Sequence, residues 1–175
     1  DSDLLFYNSA GVFQTSVALG NNSIKDERFP AVTVLANGNV AVAYEQEISD
    51  GSGVYGMNIE IYSQTGGLVL DQTPFDALGQ NLNPDIVALK DGGFAVAYQD
   101  TGTGAPAVSI AFFTANGTLR SIKRADADSF ADSDISLSLL ANGMVVMTWT
   151  DNGVDVTTQI FDPVTMLKLS GQPVV

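Results

Sequence analysis

The 175-residue chain carries 20 acidic against 7 basic side chains, a net charge of −13, and neither histidine nor cysteine. That composition excludes disulfide frameworks, thiolate nucleophiles, thiol zinc sites and histidine-based triads, so any chemistry falls to carboxylates. It also excludes nonspecific attraction to nucleic acid or an anionic membrane surface, while a hard cation such as Ca2+ suits an acidic chain.

The chain opens Asp1-Ser2-Asp3, with neither an initiator methionine nor a basic-then-apolar leader, and reads as a processed or excised piece. No run approaches the roughly 18 apolar residues of a membrane span, so insertion is not expected. The first predicted strand, Leu5-Phe6-Tyr7, ends in an aromatic and meets a turn at Gly11; a second strand follows from Val12 to Leu19. Pro30 to Tyr44 then reads as a hairpin around Asn37-Gly38, and it recurs as Pro84 to Tyr98 around Asp91-Gly92 and as Ile135 to Trp149 around Asn142-Gly143. Asn-Gly and Asp-Gly tolerate positive φ, which predicts type I′ turns. Alternation puts Val40, Val42 and Tyr44 on one face of the second strand, as it does Phe94, Val96 and Tyr98, and Val145, Met147 and Trp149. The opposite faces carry Ala41 and Ala43, Ala95 and Ala97, and Val146 and Thr148. Large on one face and small on the other suits a sheet stacked between two similar sheets, with the repeated aromatics Tyr44, Tyr98 and Trp149 as filler between them.

The aromatic-ending strand also recurs, closing on Tyr62, Phe113 and Phe161, with turns at Gly66 and Gly117 and with Asp162-Pro163 taking the turn role in the last copy. Naming the four strands of a repeat a, b, c and d, the chain reads c-d followed by three runs of a-b-c-d. Tandem four-stranded units predict an all-β fold, a β-propeller of antiparallel blades with about three and a half blades here; a β-sandwich is the alternative. The boundaries are a half blade over 1–26 and blades over 27–79, 80–129 and 130–175. An incomplete ring leaves an open strand edge, so closure is expected from a second copy, two chains making seven blades, or from the rest of a longer chain.

The Pro84–Gln99 hairpin, its Asp/Gly/Thr loop and the aromatic-ending strand resemble a repeat of very large secreted bacterial proteins, the RTX-type calcium-associated adhesins and exoproteins. The resemblance spans nearly the whole chain. It departs from that pattern at Ile135, where proline is usual, at Tyr44 and Tyr98, where tryptophan is usual, and in lacking a glycine-rich calcium-binding nonapeptide array. It implies an extracellular or cell-surface location.

Two groups of residues are candidates for binding. Asp126, Asp128, Asp132 and Asp134 concentrate carboxylate oxygen within one segment, the donor type that Ca2+ takes, although a solvated loop explains the same residues. The b–c loops bring Glu45, Glu47, Asp50, Asp100 and Asp151 to one rim, with Tyr55 as an aromatic outside the repeat pattern; turn chemistry is the plain alternative. No catalytic residue stands out, because some pair among 20 acids satisfies any separation. The leading expectation is a non-catalytic binding, adhesion or assembly scaffold with a carbohydrate or other cell-surface ligand. The alternative is a carboxylate-dependent carbohydrate-active enzyme or lectin, which calls for acids and aromatics at the propeller axis.

Overall fold

The computed structural model describes residues 2–22, 25–72, 81–101, 107–125, 133–151 and 153–169. Strands β1 (Asp3–Tyr7) and β2 (Phe13–Ala18) form a two-stranded sheet, followed by a 3-10 turn over Leu19–Asn22. Three four-stranded antiparallel sheets follow in chain order. The first is β3 (Glu27–Val34), β4 (Val40–Glu47), β5 (Tyr55–Tyr62) and β6 (Leu68–Gln72). The second is β7 (Asn81–Ala88), β8 (Phe94–Asp100), β9 (Ala107–Phe113) and β10 (Leu119–Arg124); the third is β11 (Ser133–Leu139), β12 (Val145–Asp151), β13 (Asp155–Asp162) and β14 (Leu167–Lys168). Within each sheet the strands lie in sequence order, and β7 packs against both β3 and β11, so the first strand of each blade faces a common axis. This is a β-propeller, and the sandwich alternative falls.

Size complementarity holds the blades together. Phe94, Val96 and Tyr98 of the second blade bury against Ala41, Ala43, Met57 and Ile59 of the first. Val145, Met147 and Trp149 of the third do the same against Ala95, Ala97 and Ile110 of the second. Alanines let the facing sheet approach and large side chains fill the space, which is how interiors reach close packing. Fully burying a side chain such as Phe94 contributes roughly 1.5–3 kcal/mol.

The hairpin turns differ from the type I′ expectation. Among the turn residues only Gly38, Gly92 and Gly143 have positive φ, and Gly38 N–H donates to Leu35 O at 2.8 Å. The arrangement is a type I turn closed by a left-handed glycine. The asparagine or aspartate stays right-handed because its side chain is engaged: Asn37 Oδ1 accepts from Asn39 N, Asp91 Oδ1 from Gly93 N and Asn142 Oδ1 from Met144 N, each at 3.0 Å. In the last c–d turn Met166, with φ 56°, takes the left-handed position, one residue later than glycine does elsewhere. Gly66 and Gly117 sit where blades meet at the outer edge: a Cβ at Gly117 would overlap Leu70 Cδ2, and one at Gly66 would lie 2.8 Å from Thr15 Cγ2.

Candidate functional site

The inner strands share a distortion that the repeat pattern did not reveal. Pairing slips by one residue between Arg28 and Ala31, between Leu82 and Asp85, and between Ser133 and Ser136. At each slip one non-glycine residue is left-handed: Phe29 at φ 51°, Asn83 at 52° and Asp134 at 52°. Asn and Asp tolerate this region, whereas a bulky Phe is held there at a cost of about 1–3 kcal/mol. These bulges lie at equivalent heights on three strands around the axis, and together with Pro30, Pro84, Ser133 and Ile135 they line a depression of about 310 Å³. Its rim carries an acid, an amide and an exposed aromatic ring. Ser133 Oγ donates to Asp134 Oδ2 at 2.9 Å.

Beside this depression the buried Glu45 pairs with Arg28, whose own side chain remains partly exposed. Arg28 Nε donates to Glu45 Oε2 at 2.7 Å, and the other oxygen of Glu45 accepts from Asn83 N at 2.7 Å. Glu45 is 1% exposed, so its charge is tolerated because both oxygens are engaged by donors. It also pins the second blade's bulge to the first blade. The Arg28 guanidinium lies 3.4 Å from the Tyr55 ring centroid and 5.4 Å from that of Phe29, within cation–π range of both. Glu45 and Tyr55 are thus joined through Arg28 next to the axial depression.

The other residues expected on this rim separate from that pair. Glu47 accepts from Gly51 N at 3.0 Å and from Gly53 N at 2.6 Å, which makes it the cap of its own loop, and Asp50 is exposed at the loop's tip. Asp100 pairs across from Asn81 and Asp151 across from Asp155, both half-buried at the end of their strands. Of the four aspartates that were candidates for Ca2+ against a plain solvated loop, Asp126, Asp128 and Asp132 lie outside the described residues, and Asp134 is the bulge residue above. Among the described residues no three His, Cys, Asp or Glu side chains are grouped to hold a metal ion.

Two further acids escaped the sequence reading. Asp85 Oδ2 accepts from Leu137 N at 2.7 Å, bridging the second blade to the third. Glu60, 1% exposed, lies between the β1–β2 hairpin and the first blade, where it accepts from Tyr44 Oη at 2.9 Å, Tyr62 Oη at 2.5 Å and Gly20 N at 3.2 Å. Burial, opposed by the Asn58 amide and reinforced by Glu60, pushes the Tyr44 hydroxyl well above its ordinary range. Burial and then Glu60 do the same to Tyr62, so both phenols remain protonated donors. Glu60 stands where Leu5, Ala111 and Gln159 stand in the other copies, and the one ionisable residue at that position of the repeat was the signal that could have found it.

No family model and no curated protein matches the chain. Solved structures do. An endo-arabinase from Bacteroides thetaiotaomicron VPI-5482 superposes with a TM-score of 0.57 at 10% identity, covering 94% of this chain and 67% of that one. A thermostable family-43 glycoside hydrolase gives 0.56 at 12%, covering 86% and 52%, and a glycosyl hydrolase from Bacteroides ovatus gives 0.50 at 18%, covering 86% and 49%. The chain spans about half to two-thirds the length of these structures. At such identity the likeness establishes the fold. The leading expectation of a non-catalytic binding, adhesion or assembly scaffold is corrected at the same point, because these three structures carry the names of an arabinase and of glycoside hydrolases and none that of an adhesin.

Proposed function

We propose that the chain forms part of a carbohydrate-active propeller whose sugar-contacting surface is the axial depression. The observation that carries this reading is the convergence of three left-handed bulge residues, Phe29, Asn83 and Asp134, on one concavity. Phe29 offers a flat apolar face, Asn83 an amide that both donates and accepts, and Asp134 a carboxylate for general acid–base work. Backbone strain concentrated at such positions is common where side chains must be aimed at a ligand. Glycoside hydrolysis needs two carboxyl groups about 5–10 Å apart. Asp134 is the single acid among the described residues lining the depression, so the pair draws its second member from elsewhere around the axis. Such a function suits the extracellular location implied by the repeat resemblance.

The test is turnover of arabinan and of a panel of 4-nitrophenyl glycosides by the chain and by Asp134→Asn. Loss of about a hundredfold or more in kcat, with retention on immobilised arabinan unchanged, supports the reading. Turnover undiminished in Asp134→Asn, or neither turnover nor retention in the parent, overturns it.

A further inference from the structure

The three blades supply their own control for what covers an inner strand. Ile86 and Leu137, at matching positions of β7 and β11, are each 7% exposed beneath the preceding blade, whereas their counterpart Val32 on β3 is 55% exposed and its neighbour Val34 63%. Likewise β5, β9 and β13 each pair on both sides, while among the described residues β1 pairs with β2 alone. In the first-to-second junction Ile61, Phe94 and Ala88 pack with Leu35, the leucine that opens the Asn-Gly turn; in the next junction Phe112, Val145 and Leu139 pack with Leu89. The corresponding residues before the first blade, Phe6, Val40 and Val34, line an open groove of about 830 Å³.

We propose that this groove and the free edge of β1 receive a β-hairpin of the chain's own a–b type, donated by polypeptide outside these 175 residues. Its second strand pairs with β1, and the leucine before its Asn-Gly or Asp-Gly turn seats between Phe6, Val34 and Val40. Main-chain pairing supplies affinity and the leucine supplies register, as in strand addition generally. Among the described residues a second copy brings no spare a–b hairpin, because β3–β4, β7–β8 and β11–β12 are each bonded to their own outer strands, and its β1–β2 pair is of the c–d type, without a leucine before an Asn-Gly or Asp-Gly turn. A seven-blade ring of two such chains therefore leaves both half blades unfilled.

A synthetic peptide of residues 81–101, which contains β7, β8 and their turn, serves as the probe. Added in excess to the 175-residue chain, it slows hydrogen exchange in β1 at least about tenfold and leaves β13 unchanged. Leu89→Asp in the peptide, or Val34→Asp in the chain, weakens its binding at least about tenfold, with exchange in the second and third blades reporting intact folding. Three results overturn the proposal: no protection of β1 by the peptide, equal protection by the Leu89→Asp peptide, or concentration-dependent self-association that protects β1 without peptide.

Discussion

The junction before the first blade and the junction between the first two blades are built from the same repeat but held by different means. Between the first and second blades Phe94 lies fully buried, stacked on Phe113 with ring centroids 4.9 Å apart, and the contact is closed by alanines opposite. Before the first blade, with two strands where the other blades have four, the apolar contact shrinks to Phe6, Leu19, Val42, Tyr44 and Tyr62, and Glu60 joins the two sides through hydrogen bonds. Where apolar area is plentiful, packing sets most of the geometry and the polar link, Glu45 to Asn83 N, is confined to the bulge of the inner strand. Where it is scarce, a satisfied polar cluster fixes the register of the small sheet against its neighbour.

The largest effect expected from breaking this contrast is at the apolar junction. Phe94→Ala removes a fully buried ring that stacks on Phe113 and packs with Leu35 and Ile61, and should cost about 3–5 kcal/mol of global stability, read as a lower urea midpoint. Glu60→Leu should cost less, about 1–3 kcal/mol, because it strands two buried phenol donors. Its effect should also be local, with faster hydrogen exchange in β1 and β2 and unchanged exchange in β8 and β12; Glu60→Gln, which keeps an acceptor, should recover part of the loss. The smallest effect belongs to the surface. At Asp91 burial works to raise the carboxyl's pKa, but the Arg120 side chain and Gly93 N–H outweigh it and hold the group below its ordinary value of 3.8. The contribution is therefore complete above pH 3.8 and is lost as pH falls through the lowered value. With Asp91 41% exposed it stays below about 1 kcal/mol. Urea midpoints of Asp91→Asn and parent should differ above pH 3.8 and converge in stronger acid.

How much of this was legible follows from what repetition records. The large and small faces of the b strands could be read because alternation in Phe94-Ala95-Val96-Ala97-Tyr98 translates directly into two sides of a sheet. The aromatics Tyr44, Tyr98 and Trp149 read correctly as filler between blades for the same reason. The bulges did not read, because a one-residue slip in pairing leaves the apolar pattern of the rest of the strand intact and shows only as the φ of Phe29, Asn83 and Asp134. Glu45 and Glu47 sat in the same loop region of the sequence, yet they diverge: one is drawn inward to Arg28, while the other caps its loop through Gly51 and Gly53. Strand position places an acid at a rim, but its hydrogen-bond partners decide its role, and for Glu45 these come from distant parts of the chain whereas for Glu47 they lie in its own loop.

The close approach at Gly66 and Gly117 bears on how neighbouring blades meet at the perimeter. At each of these turns the tip of a side chain from the preceding blade's outer strand, Thr15 Cγ2 or Leu70 Cδ2, stands close to where a Cβ would be, and the backbone is left-handed. A methyl group there would have to push that tip aside and would strain the turn whatever space it found, so the seam between rims closes over the smallest residue available.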